Sequence, residues 1–138
     1  MAKVVAKKKT TVKKTAIKKA APKPAAPDSK DFAIEAARIA ATLNCTDVAI
    51  LDLKGVSPAT DYFVIATGTS DRQMRTVADD VCEVGHKIGF NRFGRAGYDK
   101  GKWILIDFVD VVVHVFDREY RGLYDLELLW GDAKQIKF

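Results

Sequence analysis

Trp103–Phe116, WILIDFVDVVVHVF, is the stretch whose reading decides the fold. It holds two runs of β-branched and aromatic residues, Trp103–Phe108 and Val111–Phe116, separated by Val109-Asp110. Apolar runs of this length and composition read as largely buried strands. A two-residue separation implies an antiparallel hairpin, or one strand interrupted by a bulge. Val-Asp is a poor pair for a primed turn, which leaves the turn type open. Period-two alternation puts Trp103, Leu105 and Asp107 on one face and Ile104, Ile106 and Phe108 on the other. The second set makes the better core face, because Asp107 marks the first as incompletely buried. In the second run Val112, His114 and Phe116 share a face, and Val111, Val113 and Val115 the opposite one.

C-terminal to this stretch, the apolar residues Tyr120, Leu123, Tyr124, Leu126 and Leu129 predict one helix from about Arg118 to Trp130. Gly131 reads as its C′ residue, and Asp132–Phe138 as a fraying end. On the N-terminal side, NRFGRAGYDKGK (residues 91–102) is Gly-rich and charged. It reads as a short edge strand followed by a loop at Tyr98–Lys102. Before it, Met74, Val77, Ala78, Val81, Gly85 and Ile88 line one face of a helix. Ser70 and Gln73 have capping-box spacing at its start, and Gly89 is its natural stop. Earlier still, Tyr62–Thr67 and Val48–Leu53 read as strands. Phe32, Ala36, Ile39, Ala40 and Leu43 mark a first helix that Ser29 or Asp31 can cap. The order helix, strand, strand, helix, strand, strand, helix predicts an α/β fold: a mixed β-sheet with helices packed on it. Residues 28–138 are long enough for one core.

Charge divides the chain. Residues 1–27 hold nine lysines and no acid; the remaining 14 Lys and Arg against 18 Asp and Glu leave residues 28–138 at −4. The first segment is rich in Lys, Ala, Thr and Pro, too poor in apolar residues to offset ordering entropy, and reads as a disordered basic arm. Clustered lysines suit salt-sensitive contact with RNA phosphates as well as they suit a solvated tail. No apolar stretch has the length of a secretory signal core or a membrane span, so a cytoplasmic protein without membrane contact is expected. Cys45 and Cys82 form no disulfide framework and no metal cluster with the two histidines.

Few residues invite chemistry. Gly68-Thr69-Ser70 follows a strand and precedes a helix, where free N–H groups can meet phosphate, but it matches neither common phosphate-binding glycine pattern. A capped helix entry explains the same residues. Asp107 and Asp110 stand in a D-x-x-D spacing that alternation does not bring to one strand face, which argues against a two-carboxylate metal site. His114 among valines reads as a hydrogen-bonded core histidine. Trp103 opens a strand beside a Gly- and Lys-rich loop, and serves equally as a core residue or as a contact for a partner protein. No nucleophile–base pair or convergent set of acids emerges, so a binder is expected rather than an enzyme.

Residues 28–138 also resemble the ribosomal silencing factor, or Iojap-related, family. The resemblance is carried in order by Asp61–Ser70 with Arg72-Gln73, by Trp103–Asp107, by Asp110–Phe116, and by Glu119, Arg121 and Tyr124–Trp130. It implies a nucleotidyltransferase-like sandwich lacking the catalytic acids, with no cofactor. It further implies a partner: the large ribosomal subunit, bound through ribosomal protein fourteen on the face that meets the small subunit, so that joining is blocked when nutrients are scarce. Trp103 and Ile104 correspond to the family's contact surface. Tyr98 and Asp107, beside them, complete the candidate partner-binding set, and a homodimer of the free protein is left open. Two positions depart from the family pattern. Ala96 replaces a usual Glu, and Val109 replaces a usual Gly, which makes a tight glycine turn there less expected.

Overall fold

A computed structural model describes residues 28–138; the expected disorder of the basic arm lies outside the described residues. The elements run α1 (Ser29–Thr42), β1 (Thr46–Asp52), β2 (Tyr62–Thr67), α2 (Asp71–Ile88), β3 (Gly94–Ala96), β4 (Trp103–Asp107), β5 (Val111–Phe116), α3 (Arg118–Leu123), α4 (Leu126–Leu129) and β6 (Lys134–Gln135). One sheet has the order β3-β4-β5-β2-β1-β6. β2 and β5 pair in parallel and every other pair is antiparallel. The α/β mixed sheet expected from the sequence is thus the observed architecture.

α1 and α2 pack on one sheet face. Phe32, Ala36 and Ala40 of α1 and Met74, Val77 and Val81 of α2 meet Tyr62, Val64, Ile104, Ile106, Val111, Val113 and Val115 in one core. The small side chains on α1 let it lie close to the strands. Gly85 lets the end of α2 approach Phe32, for a Cβ there would stand 2.8 Å from the Phe90 carbonyl oxygen and 3.0 Å from the Phe32 ring. Phe32 in turn stacks on Phe90 and meets Phe108 edge-on, both at 4.8 Å.

The helix signals hold with local adjustments. Ser70 caps α2 by accepting from the Gln73 N–H, and Gln73 returns its side-chain oxygen to the Thr69 N–H. The Gln73 amide also donates to the Leu43 carbonyl, tying the start of α2 to the end of α1. Gly89 takes the left-handed conformation, φ 100°, that ends α2. The cap of α1 is Asp28 rather than Ser29 or Asp31; its side chain accepts from the Lys30 N–H.

The C-terminal region departs from its reading. The single helix expected over Arg118–Trp130 breaks at Tyr124, whose φ of −113° and ψ of 83° are not helical. The cause is Asp125, which caps a new turn by accepting from the Leu128 N–H. The expected apolar stripe is divided in consequence. Tyr120 and Leu126 face the sheet together with Trp130, whereas Leu123 and Leu129 are 67% and 73% exposed. Trp130 is the C-cap of α4, which leaves Gly131 at the C′ position as expected, though without the left-handed conformation. The tail does not fray throughout. Lys134-Gln135 pairs with Asp52 and Leu51 at the sheet edge, and the Ile136 N–H donates to the Ile50 carbonyl.

The hairpin turn is tight after all. Phe108 donates to the Val111 carbonyl across Val109-Asp110, and Val109 adopts φ 76°. A β-branched residue rarely takes that conformation. The Asp107 side chain supports it by accepting from the Val109 N–H at 2.7 Å.

Candidate functional site

The second sheet face carries the alternate residues of the same strands, and its two halves differ. Under α3 and α4, Leu51, Leu53, Ile65 and Phe116 are fully buried, packed by Tyr120, Leu126, Trp130 and Ala133. Toward β3, half-buried Leu105, Asp107 and Val112 line the face, beside Gly94 and exposed Ala96. α3 and α4 do not reach this half. Gly94 pairs with Asp107 and Ala96 with Leu105, so small residues leave the sheet surface flat there.

Trp103 stands at the border between the halves. Its ring stacks on Phe116 at 4.9 Å and meets Tyr124 of the α3–α4 break at 4.8 Å. Its indole N–H donates to Nδ1 of His114 at 3.1 Å. The side chain is half-buried, so it belongs partly to the packing and partly to the surface. His114 itself is 4% exposed and lies edge-on to Phe63 at 4.5 Å. Burial pushes its pKa down to about 4, which keeps the imidazole neutral at neutral pH and able to accept.

The four candidate residues are not brought together. Trp103 and Asp107 share the partly open face, as alternation predicts. Ile104 points the other way, is 0% exposed, and belongs to the core under α1 and α2. Its side chain is out of reach of any partner while the fold is intact. Tyr98 also packs on the α2 side; its hydroxyl donates to Asp79 at 2.8 Å and the Arg95 guanidinium lies 3.9 Å from its ring centre. The Asp79 carboxylate raises the Tyr98 pKa. Asp107 is engaged in holding the turn.

The residues that invited chemistry have structural partners. The helix entry at Gly68-Thr69-Ser70 is closed by the Gln73 and Ser70 caps, and Asp71 adds a negative charge in the first turn of α2. A Cβ at Gly68 would fall 2.3 Å from Met74 Cγ. Thr67, at the end of β2, accepts from Arg121, which also bonds Glu127 at 2.8 Å and so fastens α3 to α4 and to the sheet. Asp110 accepts from the Ser29 hydroxyl at a long 3.5 Å. Among the described residues no group of three or more His, Cys, Asp or Glu is placed to hold a metal ion. Cys45 and Cys82 are free thiols; burial pushes Cys45 up to about 11 and raises Cys82 against the nearby Arg92 and Arg95.

Sequence reasoning missed three parts of this surface: the indole–imidazole bond, the Tyr124 ring contact and the Arg121 fastening. The first had a signal. With a two-residue turn at Val109-Asp110, Leu105 falls opposite His114 and Trp103 opposite Phe116, which makes Trp103 and His114 diagonal neighbours on one face. The other two depend on where α3 lands.

The fold is a small mixed-sheet α/β domain whose second face is only half covered. Comparison with known proteins then names its kin. Residues 26–138 match the family described as ribosomal silencing factor during starvation. The chain is 41% identical over 87 residues to the ribosomal silencing factor of Bacillus subtilis, 63% of this chain and 74% of that protein. It is 40% identical over 89 residues to that of Haemophilus influenzae, 64% of this chain and 87% of the relative. A crystal structure of a Chromobacterium violaceum protein superposes with a TM-score of 0.67 at 33% identity, covering 79% of this chain and 88% of the other. The chain belongs to the ribosomal silencing factor family. Its relatives' names give a role in regulating translation. No helix among the described residues is long and apolar enough to cross a membrane.

Proposed function

We propose that this protein represses translation by docking on the large ribosomal subunit, through ribosomal protein fourteen, so that the small subunit cannot join. The reading sets its action in the cytoplasm under nutrient limitation. The observation that carries it is the half-covered second face, where Trp103, Leu105 and Val112 present apolar surface on a rigid sheet. Apolar and aromatic groups on a flat, preorganised surface suit a protein partner, and Trp is enriched among residues that dominate such contacts. Exposed Leu123 and Tyr124 extend the same surface beyond Trp103. Of the four candidates, Trp103 is the anchor and Asp107 a supporting residue that shapes the turn beside it. Ile104 acts through the fold, and Tyr98 through the packing of the preceding loop on α2. The role requires no cofactor and no catalysis.

The test is co-sedimentation of the purified protein with isolated large and small subunits. Wild type should travel with large subunits and inhibit their joining to small ones. Trp103→Ala should weaken binding by on the order of 30- to 1000-fold, the usual range for a truncated anchor aromatic. Equal binding of wild type to both subunits, or nucleotide turnover abolished by changing Asp107, would overturn the reading. The Lys-rich arm adds salt-dependent affinity for ribosomal RNA without choosing the subunit. Removing residues 1–27 should therefore flatten the salt dependence of binding and leave the preference for large subunits intact. Equilibrium sedimentation of the free protein decides whether it forms a homodimer.

A further inference from the structure

We propose that His114 is a positioning residue that holds the indole of Trp103 in one orientation on the second sheet face, ready for a partner. The proposal rests on the reading of Trp103 as the docking anchor. Stacking on Phe116 and a tilted contact with Tyr124 restrain the indole. Neither contact is a directional bond to the indole N–H. The hydrogen bond to His114 Nδ1 supplies that directional hold, since only one ring orientation brings Nε1–H to the acceptor.

The protonation pattern supports this role. A neutral imidazole that accepts at Nδ1 carries its proton on Nε2. In His114 that Nε2 is buried without a hydrogen-bond partner among the described residues. A buried donor left unpaired is unfavourable. Phenylalanine at this position would avoid the penalty and pack on Phe63 and Phe116, which already surround the ring. The unpaired Nε2 thus offsets much of what the indole bond contributes to the fold. What the imidazole supplies is a buried acceptor aimed at the indole N–H. Ordering a side chain before association removes part of the entropic penalty of binding, worth roughly 2- to 12-fold in affinity for one aromatic anchor.

The experiment uses the full chain, isolated large ribosomal subunits, and NMR of the 15N-labelled indole groups of Trp103 and Trp130. His114→Phe removes the acceptor; His114→Asn keeps an oxygen near the Nδ1 position. In His114→Phe the Trp103 indole resonance should move and exchange faster with water, while Trp130 changes little. Affinity for large subunits should fall roughly 2- to 12-fold, with recovery in His114→Asn. In a Trp103→Phe background, which has no indole N–H to position, His114→Phe should add nothing. An unmoved Trp103 indole resonance overturns the positioning role. So does an equal loss of affinity in the Trp103→Phe background, which would make His114 a structural residue only. If His114→Phe melts too early to measure, the indole shift and affinity of His114→Asn decide alone, wild-type values supporting the proposal and loss of both overturning it. Wild-type binding by Trp103→Ala would instead overturn the docking reading itself, an outcome distinct from any of the indole results.

Discussion

On one face of the sheet, α1 and α2 cover the strands beneath them, and the residues there are aliphatic or aromatic, the Tyr62 ring among them. On the other face, α3 and α4 cover β1, β2 and the Phe116 end of β5, and leave the β3–β4 side open. There the same strands present a histidine, a tryptophan, a threonine bonded to an arginine, and an aspartate. Both faces come from one alternating pattern. A fully covered face selects for volume and shape, since interiors are close-packed. A half-covered face must also satisfy polar groups and keep apolar surface in order near water, which favours aromatic rings with fixed hydrogen bonds.

The sharpest way to break this contrast is to exchange burdens between adjacent residues. Ile104→Ala, on the covered face, should lose about 2–5 kcal/mol of stability, as buried aliphatic truncations do. Denaturant melts should show it, while the folded fraction binds large subunits as before. A binding defect at full folding would mean that the covered face communicates with the docking surface.

His114 gives the next largest effect. Its pKa is about 4 in the folded protein and about 6.5 when exposed. Between those values the unfolded chain binds the extra proton, so stability is retained above pH 6.5 and falls as pH drops toward 4. The slope from this group reaches about 1.4 kcal/mol per pH unit, roughly 3 kcal/mol over the window. Carboxylates titrate in the same range, so the measurement is the difference between wild type and His114→Phe melts from pH 7 to 4. Parallel curves would show that the histidine is not held neutral.

Trp103 cannot separate docking from folding by itself, because it is packed on Phe116 as well as half-exposed. Leu105→Lys is the cleaner probe. A lysine there can lift its charge into water along its aliphatic stem, so stability should change by less than about 1 kcal/mol. Affinity for large subunits should fall by about 2 kcal/mol, or roughly 30-fold, as a charge is forced into the contact. Unchanged co-sedimentation would move the docking surface away from β4.

The smallest effect concerns the turn that joins the strands. Val109 at φ 76° carries strain that glycine does not. Val109→Gly should stabilise the protein by about 1 kcal/mol, less whatever glycine's extra freedom in the unfolded chain removes. A lower melting temperature would show that the valine side chain, though 53% exposed, makes a contact of greater value.

Much of the fold and part of the site were legible in the residues. β4 and β5, the alternation that separates Trp103 from Ile106, and the Ser70–Gln73 cap rest on local chemistry, and each stands in the structure. Ile104 shows a limit of the resemblance. The resemblance makes it a contact residue, whereas the alternation assigns it to the core, and the structure buries it there. The break at Tyr124 was hidden because the apolar spacing through Leu126 and Leu129 is helical, whereas one aspartate capping its own N–H groups is enough to restart the helix. The turn at Val109 was hidden because its left-handed residue is a valine supported by the side chain of Asp107.

Local order, then, is what the sequence by itself determined: which segments are strands or helices, which side of each is apolar, and the family to which the pattern belongs. Those properties depend on neighbours within a few residues, where sterics and hydrogen-bond geometry leave few choices. Only the tertiary structure decided which half of the second face is covered, that Arg121 ties α3 to Thr67, and that the tail adds a strand beside β1. It also decided that His114 accepts from Trp103. Each of these depends on contacts between residues far apart in the chain or on a strand register, and register is set by how the whole sheet assembles around its turns.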